Sequence, residues 1–133
     1  MGHYAVKRIE DMEAIYGGAF KRARAELGIE AFGFQVMDMP PNLEAYPEHD
    51  HGDDGQEEVY VTLRGSGEIE IEGERHPIDP ETIAAVGPGV KRKIWPGSEG
   101  IRLLAIGGHR GKAYEPSEFG QLGAPDPSLQ QQT

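Results

Sequence analysis

Residues 46–65 read YPEHDHGDDGQEEVYVTLRG, and the fold turns on this stretch. Its second half alternates. Val59, Val61 and Leu63 fall on one side, and Gln56, Glu58, Tyr60 and Thr62 on the other, which is the period of a β-strand. Its first half places His49 and His51 one residue apart. On extended backbone such neighbours project from the same face, as two adjacent metal ligands must. Two readings are open: a metal site built on His49, His51 and Glu58, or a polar loop that runs into a strand. In a half-exposed sheet Val59, Val61 and Leu63 point to the core and Glu58 to water. In a barrel with a polar cavity, Glu58 and Tyr60 line the cavity, and the apolar stripe needs an outer cover.

The flanking sequence reads as strand after strand. "AFGFQVMDM" (31–39) predicts a strand ended by Pro40-Pro41, and the segment 44–51 predicts another. Gly65-Ser66-Gly67 predicts a turn into "EIEIEG", where Ile69 and Ile71 alternate with glutamates. Gly73 predicts a second turn, into "ERHPI". "TIAAV", the turn "GPG" (87–89), "VKRKIW", the turn "PGSEG" and "IRLLAIGG" follow. Short strands at this spacing predict an all-β antiparallel sandwich or barrel. Upstream, "YAVKRI" (4–9) predicts a short strand. "GGAFKRARAELG" (17–28) predicts a helix capped by Gly28, with Phe20, Ala23 and Leu27 on one face and Lys21, Arg22 and Arg24 on its wet face. Residues 1–30 thus form a strand–helix extension, 31–114 the barrel, and 115–133 a Pro-, Gly- and Gln-rich tail that wraps the surface or is disordered.

Composition narrows the function classes. The chain has 133 residues, enough for one domain with a real core. Its 19 glycines and 10 prolines fit many turns and short strands. Without cysteine it has no disulfide, zinc-thiolate or thiol chemistry. A net charge of −10 repels phosphate backbones and argues against nucleic acid as a partner. No apolar run approaches a membrane span, and the opening "MGHYAVKRIEDME" lacks a secretion signal. A cytoplasmic location is expected.

The central stretch resembles the first motif of the cupins: HxH, a downstream Glu, six more residues and a Gly, here His49, His51, Glu58 and Gly65. "VGPGVKRKIW" resembles the second motif, a Pro-x-Gly-like turn before the strand that carries the last histidine. The likeness covers roughly residues 31–110. It implies an antiparallel double-stranded β-helix, the jelly-roll barrel. It also implies a divalent transition metal (Fe, Mn, Ni or Zn) held by histidines and a glutamate.

Three departures bear on the site. The glycine that opens the first motif would fall near Leu43 and is missing. Six residues, GDDGQE, separate His51 from Glu58, more than is usual. Counting from His51 makes Gln56 the ligand, and counting back from Gly65 makes it Glu58. Strand register favours Glu58, with Gln56 in reserve. Arg92 stands where the last histidine belongs. A guanidinium stays protonated and does not ordinarily ligate a metal, but it can pair with Glu58 or hold an anionic ligand. His76 and His109 fall near barrel ends and do not align with the missing ligand. Asp53 and Asp54 read as a solvated loop. Trp95 reads as an outer-wall or dimer-contact residue. "GGHRGKAYEP" (107–116) reads as a chain exit without phosphate-loop spacing.

Two functions follow as expectations. One is a metal-dependent cupin enzyme of dioxygenase, isomerase or lyase type. In it His49, His51 and Glu58 bind metal, Arg92 holds a substrate carboxylate, and Tyr60 is a hydrogen-bonding wall. The other is a metal-free, non-catalytic small-molecule binding barrel with Arg92 paired to Glu58. A homodimer is expected in either case, because the stripe Val59, Val61, Leu63 needs covering.

Overall fold

A computed structural model describes residues 3–43 and 55–130. Seven strands appear among them: β1 (Ala14–Ile15), β2 (Phe20–Lys21), β3 (Gly33–Met39), β4 (Gln56–Ile71), β5 (Glu74–Ile78), β6 (Ile83–Val86) and β7 (Arg92–His109). Every pairing is antiparallel. The hydrogen-bonded order is β1-β2-β3-β7-β4-β5, with β6 on β4. The all-β antiparallel expectation holds.

β4 and β7 pair along their whole lengths and together make the frame. Gln56–Thr62 of β4 pair with Leu103–His109 of β7, and Gly67–Ile71 pair with Arg92–Pro96. Between these runs the register shifts, at Thr62/Arg64 and at Gly65/Gly67. The GSG and PGSEG segments are therefore not hairpin turns, as their composition suggested. They are bulged corners at which one strand bends from one sheet into the next. Glycine is required at the corner. Gly65 has φ +81, and a Cβ there would collide with the carbonyl oxygen of Gly100. The hairpin turn at Gly73 is as the sequence predicts, joining β4 to β5 with Ile71 opposite Glu74.

The core lies inside this frame. Met37, Met39, Tyr60, Ile69, Ile78, Val86, Ile94, Ile101, Leu103 and Ala105 form one buried cluster. They come from the inward positions of alternating strands, as period two dictates. A second, smaller cluster of Met12, Ala23 and Val36 sits on the other face of β3, flanked by Ile9, Leu27, Phe34 and Leu104.

The N-terminal expectations are corrected. Residues 4–8 carry no strand, and Ile9–Asp11 form a single 3-10 turn. The predicted helix over 17–28 shrinks to α1, Ala23–Leu27. Gly17 (φ 67) and Gly18 (φ 99) lie outside helical space, and Phe20–Lys21 pair with β3 instead. Gly28 does cap the helix, in the left-handed conformation. The segment covers Val36 and Leu104 rather than the stripe on β4. Leu63 stays 42% exposed. The supposed wet face is wrong as well, because Lys21, Arg22 and Arg24 are all buried. The tail wraps the barrel through a 3-10 turn at Glu118–Gly120 and a short helix α2, Pro127–Gln130.

Candidate functional site

Glu58 and Tyr60 sit two residues apart on β4, so their side chains share the inward face. The Tyr60 hydroxyl donates to Glu58 Oε1 at 2.5 Å. Arg92 enters from the start of β7 with none of its surface exposed. Its Nη1 donates to the same Oε1 at 3.3 Å, and its Nη2 donates to the Gly87 carbonyl at 3.0 Å. The GPG turn therefore supplies an acceptor for the guanidinium as well as a bend. Both terminal nitrogens of Arg92 are engaged by the protein. Nε is sealed from solvent without a hydrogen-bond partner among the described residues.

A cavity of about 450 Å³ opens onto Glu58. Gln56, Glu58 and Tyr60 form its polar side, with Gln35 of β3 beside them. Phe20, Phe34 and Met37 from β2 and β3 form an apolar side, and the tail residues Tyr114, Glu115, Ser117 and Phe119 complete the wall. Gly107 pairs with Glu58 in the β4–β7 ladder, and a Cβ there would strike the side-chain amide of Gln56. The glycine thus leaves room for the amide to lie against the backbone.

The structure brings together Gln56, Glu58, Tyr60 and Arg92. His49, His51, Asp53, Asp54 and the strand expected over 44–51 lie outside the described residues. His76 is exposed on β5, with Nε2 3.5 Å from Glu74, far from this cavity's lining. His109 ends β7 opposite Gln56, its ring 6.3 Å from that of Tyr114. Trp95 faces outward, with Arg75 and Lys93 each 4.1 Å from its ring centre.

The wall residues Phe20, Phe34, Tyr114 and Phe119 were missed. Phe20 was hidden inside a false helical pattern, and Phe119 inside a low-complexity tail. The Gly17-Gly18 pair was the available signal against a helix starting there.

A second ionic centre lies elsewhere. Arg102 of β7 forks onto Asp38 of β3 at 2.6 and 2.8 Å and reaches Glu10 at 2.5 Å. Its hydrogen bonds hold the Asp38 carboxyl below the usual carboxylate range, against the opposing effect of burial. The same guanidinium lowers Glu10. This centre ties the N-terminal segment to the barrel, and its two acids share the Arg102 cation, with Lys21 Nζ 3.8 Å from Asp38.

The donor set can be tested against the metal that cupin sequences imply. Among the described residues no three His, Cys, Asp or Glu side chains gather as a ligand group. Glu58 has a permanent cation 3.3 Å from its carboxylate, where a metal-binding site would place another ligand. Like charges repel, so the guanidinium disfavours a cation there. Of the candidate ligands His49, His51 and Glu58, Glu58 is the one among the described residues, and a fixed cation already engages it.

No protein-family model matches the sequence, and no curated protein matches it. Solved structures do. A cupin protein from Bacteroides fragilis superposes with TM-score 0.67 at 21% identity, over 88% of this chain and 93% of the other. KdgF from Halomonas sp. gives 0.61 at 12% identity, over 84% and 97%. A proposed sugar phosphate isomerase from Acidithiobacillus ferrooxidans gives 0.60 at 21%, over 77% and 69%. At these identities the likeness is one of architecture: the chain has the cupin fold.

Proposed function

We propose that the barrel is a cytoplasmic small-molecule binding cupin whose polar floor is Glu58, braced by Tyr60 and Arg92, with no metal required. One observation carries this reading. Tyr60 and Arg92 converge on a single oxygen of Glu58, which supports a site held together by the chain's own donors. Arg92 is fully buried and does not line the cavity, so it orients Glu58 rather than taking a substrate carboxylate. Any proton transfer to a bound molecule would pass through Glu58 or Tyr60, which face the cavity.

The test is metal content. The protein is purified without added metal and assayed by elemental analysis, then titrated with Fe, Mn, Ni and Zn. Absence of stoichiometric metal, together with no heat of binding, supports the reading. One equivalent of tightly held metal overturns it in favour of a metal-dependent enzyme with His49, His51 and Glu58 as ligands. That second reading is favoured by the similarity to a proposed isomerase. There the metal would supply Lewis-acid chemistry.

A homodimer is part of the same proposal. Leu63 is 42% exposed and Ile83 is 69% exposed on neighbouring strands β4 and β6. Light scattering at micromolar concentration should give twice the chain mass, and Ile83→Glu should give the monomer. A wild-type monomer removes the idea.

A further inference from the structure

The C-terminal segment is held in an unusual way. Arg22 is 2% exposed. Its Nε donates to the Phe119 carbonyl at 2.8 Å and its Nη2 to the Ala124 carbonyl at 2.8 Å. Its Nη1 pairs with Glu13 Oε2 at 2.9 Å, and the same Oε2 accepts from the Gly123 N–H at 2.9 Å. Asp126 adds a bond from the Tyr16 N–H at 3.1 Å. The segment joins no sheet ladder. Carbonyls that a neighbouring strand would satisfy are satisfied by one guanidinium instead. Such an attachment can open without breaking the β3–β7–β4 ladder.

The same segment forms part of the cavity. The Phe119 ring packs on Phe20 with centres 5.5 Å apart. Tyr114 lies on Gly33, where an added Cβ would come within 3.1 Å of its ring. Opposite them stand Glu58 and Gln35, and the buried Oε1 of Gln35 has no hydrogen-bond partner among the described residues.

We propose that residues 114–126 form the movable wall of the ligand cavity, latched by Arg22, and that Phe119 sets the size of the molecule admitted. The ligand class follows from the two sides. An acceptor-rich floor calls for a donor at the inner end, and the aromatic wall calls for an apolar ring at the outer end. Glu58 is balanced by Arg92, and the described lining residues add the carboxylate of Glu115 and no cation, so the molecule is neutral or cationic rather than a free acid. The inference rests on the proposed function only in taking this cavity as the binding site.

Hydrogen exchange read by mass spectrometry tests the latch. In Arg22→Gln, amides of 117–126 should exchange about tenfold faster while those of β3, β4 and β7 keep their wild-type rates. Phe119→Ala, a milder change, should speed exchange in the same segment. The neutral fluorophore N-phenyl-1-naphthylamine tests the wall. It should bind the wild type, and its Kd should shift at least about threefold in Phe119→Ala. Faster exchange throughout the barrel in both variants would make these residues core supports and overturn the proposal. Unchanged exchange over 117–126 would also overturn it. Failure of the probe to bind any of the proteins, or an unshifted Kd, overturns the wall role. A tightly bound metal would sink the proposed function but leave the exchange pattern intact, so the two failures are distinguishable.

Discussion

At the scale of single residues, Arg92 governs the site. Its inward placement was legible, because it alternates with Lys91 and Lys93 and shares a face with Ile94, which is fully buried. Pairing with Glu58 was one of two roles open to it in the sequence, and the 3.3 Å contact is what the coordinates add. Removing the guanidinium would deprive a carboxylate that is only 14% exposed of a charge partner 3.3 Å away. Arg92→Met should therefore cost about 3 kcal/mol, measured as a lower urea midpoint at pH 7. A loss below about 0.5 kcal/mol would mean that water already solvates Glu58. Arg92→His is the complementary change. It removes the repelling cation and adds a ligand, so affinity for Ni²⁺ or Zn²⁺ should tighten at least about tenfold by calorimetry. Unaltered affinity would place the guanidinium away from the ligand position. The buried arginines of the N-terminal segment were not legible. Lys21, Arg22 and Arg24 look like a solvated helix face until the tail and β3 are laid over them, and those are long-range contacts.

At the scale of elements, the sequence reports local period well and long-range pairing badly. The alternation over 57–64 and the Gly73 hairpin are local, and both are as predicted. The GSG and PGSEG segments have the composition of turns, yet each lies inside a strand of 16 or 18 residues. What makes them corners is the partner strand, which bends at the same level through Gly100 (φ 76). The false helix has the same origin, since three apolar residues matched a helical period while Gly17 and Gly18 ruled out a helical start. The corner can be tested by comparing two glycines. Gly65→Ala meets both a left-handed φ and a clash with backbone of β7, so it should cost about 3 kcal/mol. Gly73 has φ +84 but open space around a Cβ, so Gly73→Ala should cost only about 1 kcal/mol. Equal losses in chemical denaturation would mean that the corner carries no steric constraint beyond its dihedral.

At the scale of the whole molecule, acidic side chains tie the N-terminal segment to the barrel and the tail to the N-terminal segment. Glu10 and Asp38 meet on Arg102, Glu26 accepts from Lys7 at 2.7 Å, and Glu13 and Asp126 hold the tail. Each has its pKa lowered in the folded chain. The cause is hydrogen bonding to Arg102 for Glu10 and Asp38, to Arg22 for Glu13, to Lys7 for Glu26 and to Ser128 for Asp126. A carboxylate with a depressed folded pKa binds protons more readily in the unfolded chain. Its stabilisation is fully present above the unfolded value, near about pH 4, and is lost as pH falls through the folded value. All five act in the same direction. Stability should hold between pH 7 and about 5 as far as these groups are concerned, and then fall between about pH 4 and 2. Because most of these acids are exposed, salt should blunt the effect. Among the described residues the buried barrel cluster is apolar, so acid should loosen the terminal segments before β3, β4 and β7. Urea midpoints across this range, with hydrogen exchange at pH 3, check both claims. A midpoint unchanged from pH 5 to pH 3, or barrel amides that open together with the tail, would show that these carboxylates do not fasten the ends of the chain.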